Sequence, residues 1–232
     1  MDLILYFLAI IAMIFSIWAQ IKVKTTFNRY SSLRTGSGRT ASQVAEMILS
    51  RAGVNNVRIE RVRGSLTDHF DPRTNTLRLS DRVYDSCSAA AIGVAAHEAG
   101  HAIQHAEGYA PIKLRMSLVP VVSFASRFTW LLIMAGVLMM SVVEYGIGYY
   151  VMLFGIALFS VVTLFELITL PCEFNASRRA MEALESSGWY HNEELMASRK
   201  VLTAAALTYV AALAVSLIQL LRLISSVSRR RK

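Results

Sequence analysis

Tyr145-Gly146-Ile147-Gly148-Tyr149-Tyr150-Val151-Met152-Leu153-Phe154-Gly155-Ile156-Ala157-Leu158-Phe159-Ser160-Val161-Val162-Thr163-Leu164-Phe165 contains no charged side chain. An apolar helix of about twenty residues matches the hydrocarbon thickness of a bilayer. Three other stretches repeat the pattern: Leu3 to Gln20, Phe128 to Val143 and Val201 to Leu221 are all uncharged. The second of these runs for only 16 residues, so its helix is expected to start upstream near Leu118 with Arg127 inside it. A soluble chain of 232 residues, 54% hydrophobic, would have to bury four such helices in one small core. Its surface-to-volume ratio disfavours that solution. The expected fold is mainly α and multi-pass: about four transmembrane helices with a small α+β domain between them.

The first apolar run follows Met1-Asp2 rather than basic residues, is long for a signal-peptide core, and closes on no clean small-x-small site. An uncleaved anchor is the expectation. The net charge of +8 would suggest nucleic acid in a soluble protein. Here Lys22, Lys24, Arg29, Arg34 and Arg39 follow the first helix, Lys113 and Arg115 precede the second, and Arg178, Arg179, Arg199 and Lys200 lie between the third and fourth. These clusters mark the cytoplasmic face, with the lipid bilayer as partner and no nucleic acid. Ser228-Arg229-Arg230-Arg231-Lys232 disagrees, because four spans would put it on the opposite side. Two cysteines, Cys87 and Cys172, make no disulfide framework.

Between the first two spans, Thr40 or Ser42 can cap a helix carrying Val44, Met47, Ile48 and Ala52 on one face, stopped by Gly53. Val57 to Val62 reads as a strand, Asp71 to Asn75 as a turn, and Thr76 to Ser80 alternates apolar and polar residues. A short antiparallel sheet is expected, whose edge could hold an extended peptide by backbone pairing.

Asp85-Ser86-Cys87-Ser88 can cap the next helix, which carries His97-Glu98-Ala99-Gly100-His101. Residues i and i+4 share a helix face, so both imidazoles can reach one metal ion. Glu98 lies about 100° around the helix, close enough to touch a water on that metal without ligating it. The flanking residues, Ala89 to Ala96 and Ala102 to Gln104, are largely apolar. Two histidines and a carboxylate would be costly there without a metal. This is the pattern of zinc hydrolysis, with Glu98 as general base. The expected organisation is a transmembrane helix over 1–21, a first catalytic segment over 22–117 with the zinc helix at 86–107, and a transmembrane hairpin over 118–170. A second catalytic segment over 171–200 and a last helix with its basic tail over 201–232 complete the chain.

A catalytic zinc needs a third protein ligand. His105 is one turn further on, but three ligands along one straight helix fan out over about 12 Å. Glu107 has metzincin spacing, yet Gln104 stands where that pattern needs the turn glycine. Cys172 is conceivable, though more simply a small buried hydrophobe. Glu173 is favoured, because the hairpin returns the chain to the face it left near Lys113. His105 then supports the site from outside. Arg179, Tyr190 and His191, downstream of Glu173, are candidates for stabilising the oxyanion.

Glu173-Phe174-Asn175-Ala176-Ser177-Arg178-Arg179-Ala180, following His97 to Gln104, resembles the YugP-type membrane zinc metallopeptidases, distantly HtpX-like. Asp68-His69-Phe70-Asp71-Pro72-Arg73 and Leu77-Arg78-Leu79-Ser80 are similar to that family too, and the resemblance runs from about Tyr30 to the C-terminus. It implies a multi-pass protein of the bacterial cell membrane, a zincin-like catalytic domain, Zn2+ with glutamate as third ligand, and a peptide or membrane-protein substrate. In the wider gluzincin group an aspartate four residues after that glutamate braces a metal histidine. Here the position is Ser177, which can hydrogen-bond but supplies no charge.

Two rivals differ in kind. An intramembrane site-2 type protease adds an aspartate in a Leu-Asp-Gly setting, which this chain lacks. A catalytically silent scaffold would have no use for Glu98 beside the histidine pair. Within the hairpin, Arg127 and Glu166 are expected at nearly one depth, either paired with each other or reaching separately to the headgroups. Pro171 is expected to break the helix ahead of Glu173.

Overall fold

The computed structural model describes residues 2–142 and 144–230. Val143, at the end of the second uncharged stretch, and Arg231 and Lys232 of the basic tail lie outside the described residues. In chain order the elements are α1 (Asp2–Tyr30), α2 (Ala41–Arg51), β1 (Arg58–Val62), β2 (His69–Asp71), β3 (Thr76–Ser80), α3 (Ala89–Ala106), α4 (Ala110–Val142), α5 (Tyr145–Ser187) and α6 (Asn192–Arg230). The fold is mainly α with one small sheet. Four stretches are long and apolar enough to cross a membrane: Leu3–Tyr30, Ala110–Val142, Tyr145–Ser187 and Asn192–Ser228. The chain divides into two compact units, one comprising 1–18, 114–170 and 209–232, the other 19–113 and 171–208.

The first unit is the membrane unit. Leu3, Ile4, Phe7, Ile10, Ile11, Ile14 and Ile17 of α1 point outward, more than 45% exposed, which water would not tolerate on this scale and lipid does. Ile133, Met152, Ile156 and Val227 form its buried cluster. α4 and α5 touch through glycines: a Cβ on Gly136 would sit 2.7 Å from the Gly148 carbonyl oxygen. Small residues at such crossings let backbones approach and gain dispersion contacts where lipid offers no hydrophobic drive. The pairing of Arg127 with Glu166 does not occur among the described residues. The Glu166 carboxylate instead accepts a hydrogen bond from the Ser216 hydroxyl on α6. A neighbouring helix supplies a short polar partner, so no charge from across the hairpin is needed.

The second unit is the α+β domain. α2 starts at Thr40, whose hydroxyl accepts from the Gln43 N–H while the Gln43 side chain accepts from the Thr40 N–H, a complete capping box. Gly53 follows at φ +72°, the left-handed conformation that ends the helix. Its buried face (Val44, Ala45, Ile48, Leu49) packs with Leu77 and Leu79 of β3, Ile92, Ala95, Ala96 and Ala99 of α3, and Leu184 of α5.

The sheet corrects the expected antiparallel arrangement. Its order is β1-β3-β2, with β1 parallel to β3 and only β2 antiparallel. The true hairpin partner of β3 is the three-residue β2, too short to show a period. It closes through the turn after Asp71, while β1 reaches the far side of β3 by a crossover. Arg78 clasps that hairpin by donating to Asp71 at 3.0 Å, which holds the Asp71 carboxyl down at about 2.

The expected break at Pro171 is also corrected. α5 continues through it to Ser187. An interior proline forfeits one N–H bond and crowds the preceding turn, at a cost of about 3 kcal/mol. The buried packing of Cys172, Glu173, Ala176 and Ala180 just beyond it holds the helix together.

Candidate metal centre

α3 is capped by Ser88, whose hydroxyl accepts from the Ala91 N–H at 3.3 Å. Fourteen of its 18 residues are buried, which explains the alanines. Large side chains would hold neighbouring helices at 8–10 Å, whereas small ones admit them closer. At Gly93 a Cβ would lie 3.2 Å from Ser198 of α6, and at Gly100 only 2.7 Å from the carbonyl oxygen of Ala176 on α5. The contact at Gly100 lays the helix that carries Glu173 directly onto the helix that carries the histidine pair.

That contact brings three residues together. His97 Nε2 is 3.2 Å and His101 Nε2 3.4 Å from the same oxygen, Oε2 of Glu173. The two rings meet edge-to-face, centroids 4.7 Å apart, and the three donor atoms lie within 4.8 Å of one another. Glu173 is 2% exposed and His101 8%. Zinc bonds of about 2.0–2.1 Å in a tetrahedron put neighbouring donor atoms about 3.3–3.4 Å apart. The nitrogen–oxygen spacings have that length, and two imidazoles with one carboxylate are a catalytic-zinc donor set. The residues fit the ion.

The far nitrogens of both rings are also engaged. His97 Nδ1 lies 3.1 Å from the Ser177 hydroxyl, and His101 Nδ1 lies 3.0 Å from Gln104 Oε1. Each bond leaves Nε2 facing the cluster. Glu98 is 9% exposed and makes no hydrogen bond or ion pair among the described residues. Asp68 lies within its electrostatic reach. The Asp68 carboxylate accepts from both the backbone N–H (2.7 Å) and the hydroxyl (3.0 Å) of Ser80, pinning the start of β2 to the end of β3. Burial nonetheless raises its pKa.

The other residues singled out in the sequence fall at different distances from this cluster. His105 is half-buried, with Phe70 of β2 against its ring at 5.7 Å. Arg179 donates to Asn175 (2.8 Å) and to Glu107 (2.6 Å), and the guanidinium lowers the Glu107 pKa. Glu107 is thereby committed to an ion pair. Tyr190 packs against the core cluster and lines a 220 Å³ cavity with Val44, Ile48, Ile103 and Leu184. His191 is exposed, beside Gly36. The structure does not bring Tyr190 or His191 to the histidine pair. Cys172 is fully buried, and its carbonyl accepts from Gln104. Gln104 and Asn175 were not legible as site residues. The available signal was position alone: Gln104 is three residues past His101 on the same face, and Asn175 two past Glu173.

Membrane-length helices combined with a largely buried cluster of two histidines and a glutamate that could hold a metal ion define the class: a membrane protein with a candidate metal site. A family model described as "Putative neutral zinc metallopeptidase" matches residues 5–228, and the chain belongs to that family. It is 49% identical over 218 residues, 94% of each chain, to the "Putative membrane protease YugP" of Bacillus subtilis (strain 168). No solved structure matches. The cofactor is zinc, and the resemblance read from the motifs is a family membership.

Proposed function

We propose that the protein is a membrane-integrated zinc endopeptidase in which His97, His101 and Glu173 hold the ion and Glu98 is the general base. The observation that carries this reading is the shared approach of both Nε2 atoms to Glu173 Oε2 at 3.2 and 3.4 Å. When bound, the zinc would supply a water of lowered pKa and polarise the scissile carbonyl. Glu98, the residue after His97 on the same helix and otherwise uncommitted, would accept a proton from the attacking water and return it to the leaving amine. Ser177 and Gln104 hold the rings in place. β2 is an edge strand, bonded only to β3 among the described residues. Its Phe70 side chain rests on His105, one turn beyond His101, so a peptide or membrane-protein segment extended along β2 would run past the ligands.

The test is Glu98→Gln, which preserves shape and removes the base. Purified full-length protein should keep one zinc per chain and lose peptide hydrolysis by about 10²- to 10⁴-fold. Retained zinc with no hydrolysis in either protein, across a broad peptide library, would favour a silent scaffold. Proteomics of membranes carrying the wild type or the Glu98→Gln variant would identify the substrate.

We also place the α+β unit on the cytoplasmic side, because the basic residues concentrate between 22 and 39 and between 178 and 200. In a Cys87→Ser background, Arg34→Cys and Ser186→Cys should react with an impermeant thiol reagent only after the cells are permeabilised. Labelling of both in intact cells would reverse the orientation.

A further inference from the structure

Gln104 is fully buried, at 0% exposure, yet its amide makes three directed bonds. Nε2 donates to the Cys172 carbonyl at 2.8 Å and to Asn175 Oδ1 at 2.9 Å. A backbone carbonyl only accepts, so the amide has one possible orientation and turns Oε1 toward His101 Nδ1, 3.0 Å away. An amide oxygen also only accepts. His101 Nδ1 therefore donates to it, which fixes the ring with Nε2 turned toward Glu173.

The same amide reaches the other ligand from behind. Cys172 immediately precedes Glu173, and Asn175 stands two residues after it. Arg179 closes the outer end of the chain of bonds, donating Nε to Asn175 Oδ1 at 2.8 Å and Nη2 to Glu107 at 2.6 Å. The last turn of α3 is thus tied to α5 on both sides of the glutamate.

We propose that Gln104 is the positioning residue of the zinc centre. It holds His101 with Nε2 toward the ion and clamps α5 around Glu173, with Asn175 and Arg179 as its outer supports. The proposal rests on the assignment of His97, His101 and Glu173 as ligands and adds what sets their geometry. A glutamine buried only to fill space would have no reason to spend its acceptor on a ligand's far nitrogen and its donors beside the other ligand.

The experiment uses the full-length protein in detergent. Zinc affinity is measured by chelator competition, and the visible bands of the Co2+-substituted protein report ligand geometry. Gln104→Leu should bind zinc about 10- to 100-fold more weakly and shift the cobalt bands. Asn175→Ala should fall between it and the wild type. Arg178→Ala, a 57% exposed side chain bonded to Glu182, should change neither readout. His101→Ala separates the two ideas. If it leaves zinc affinity intact, the ligand assignment itself fails. If it loses zinc while Gln104→Leu keeps wild-type affinity and spectrum, the ligands stand and the positioning role is overturned. Should Gln104→Leu not accumulate as folded protein, Asn175→Ala decides, and wild-type affinity and cobalt bands in that variant count against the proposal.

Discussion

Glu173→Ala is expected to strip the protein of zinc. Its carboxylate is the point at which both imidazoles converge, and it is buried at 2% exposure. Structural zinc sites gain roughly 10–16 kcal/mol from four ligands, so one ligand accounts for about 3 kcal/mol, or ~100-fold in affinity. The loss should be seen as a sub-stoichiometric metal content after dialysis and as abolished hydrolysis. Glu173→Gln, which keeps the volume and a neutral oxygen, should retain more metal than Glu173→Ala. The alternative ligands are tested alongside. Full occupancy in Glu173→Ala together with metal loss in His105→Ala or Glu107→Ala would transfer the third ligand to the zinc helix itself. The structure argues otherwise, because Glu107 is bonded to Arg179 and His105 packs on Phe70.

Gly100→Ala is expected to cost both stability and metal, although it adds a single methyl group in a helix that favours alanine. The added Cβ would lie 2.7 Å from the Ala176 carbonyl oxygen and 3.3 Å from its carbon. Both are backbone atoms, so relief requires moving α5 rather than turning a side chain. Overpacking of this kind costs typically 1–3 kcal/mol, several degrees in melting temperature for a chain of this size. The metal effect follows from position. Ala176 is flanked by Asn175 and Ser177, which hold Gln104 and His97, and stands one turn from Glu173. Gly36→Ala is the control, because its Cβ would meet nothing closer than 3.7 Å and it should melt with the wild type. A Gly100→Ala protein that melts with the wild type and binds zinc equally well would show that α5 is not seated by this contact.

The membrane helices were legible because lipid imposes a length on apolar runs that soluble cores do not. The zinc helix was legible because ligands at i and i+4 must share a face, a constraint local to one helix turn. Even Glu173, 76 residues beyond His97, could be nominated, because a membrane hairpin leaves only two faces on which the chain can emerge. Such features depend on sequence spacing or on the bilayer, and one chain read alone contains both.

What the tertiary structure decided are the matters of partner choice. Nothing in the alternation of Arg58 to Val62 shows whether it pairs with β3 in parallel or antiparallel, since that depends on where the crossover runs. Glu166 found Ser216 on a helix fifty residues away instead of Arg127, and Pro171 stayed inside a helix because burial beyond it outweighed the lost bond. In the sequence Gln104 rules out a metzincin turn and closes the stretch that resembles the family, but nothing there shows its partners. Two of its three hydrogen bonds, to Cys172 and Asn175, cross to α5, and Gly100 is where α5 approaches α3 most closely beside them. By itself the sequence determined which helices are long and apolar enough to cross a membrane and which atoms can hold a metal. The orientation of those atoms was decided by the crossing of two helices, because hydrogen-bond direction depends on tenths of an ångström that residue spacing along a chain does not specify.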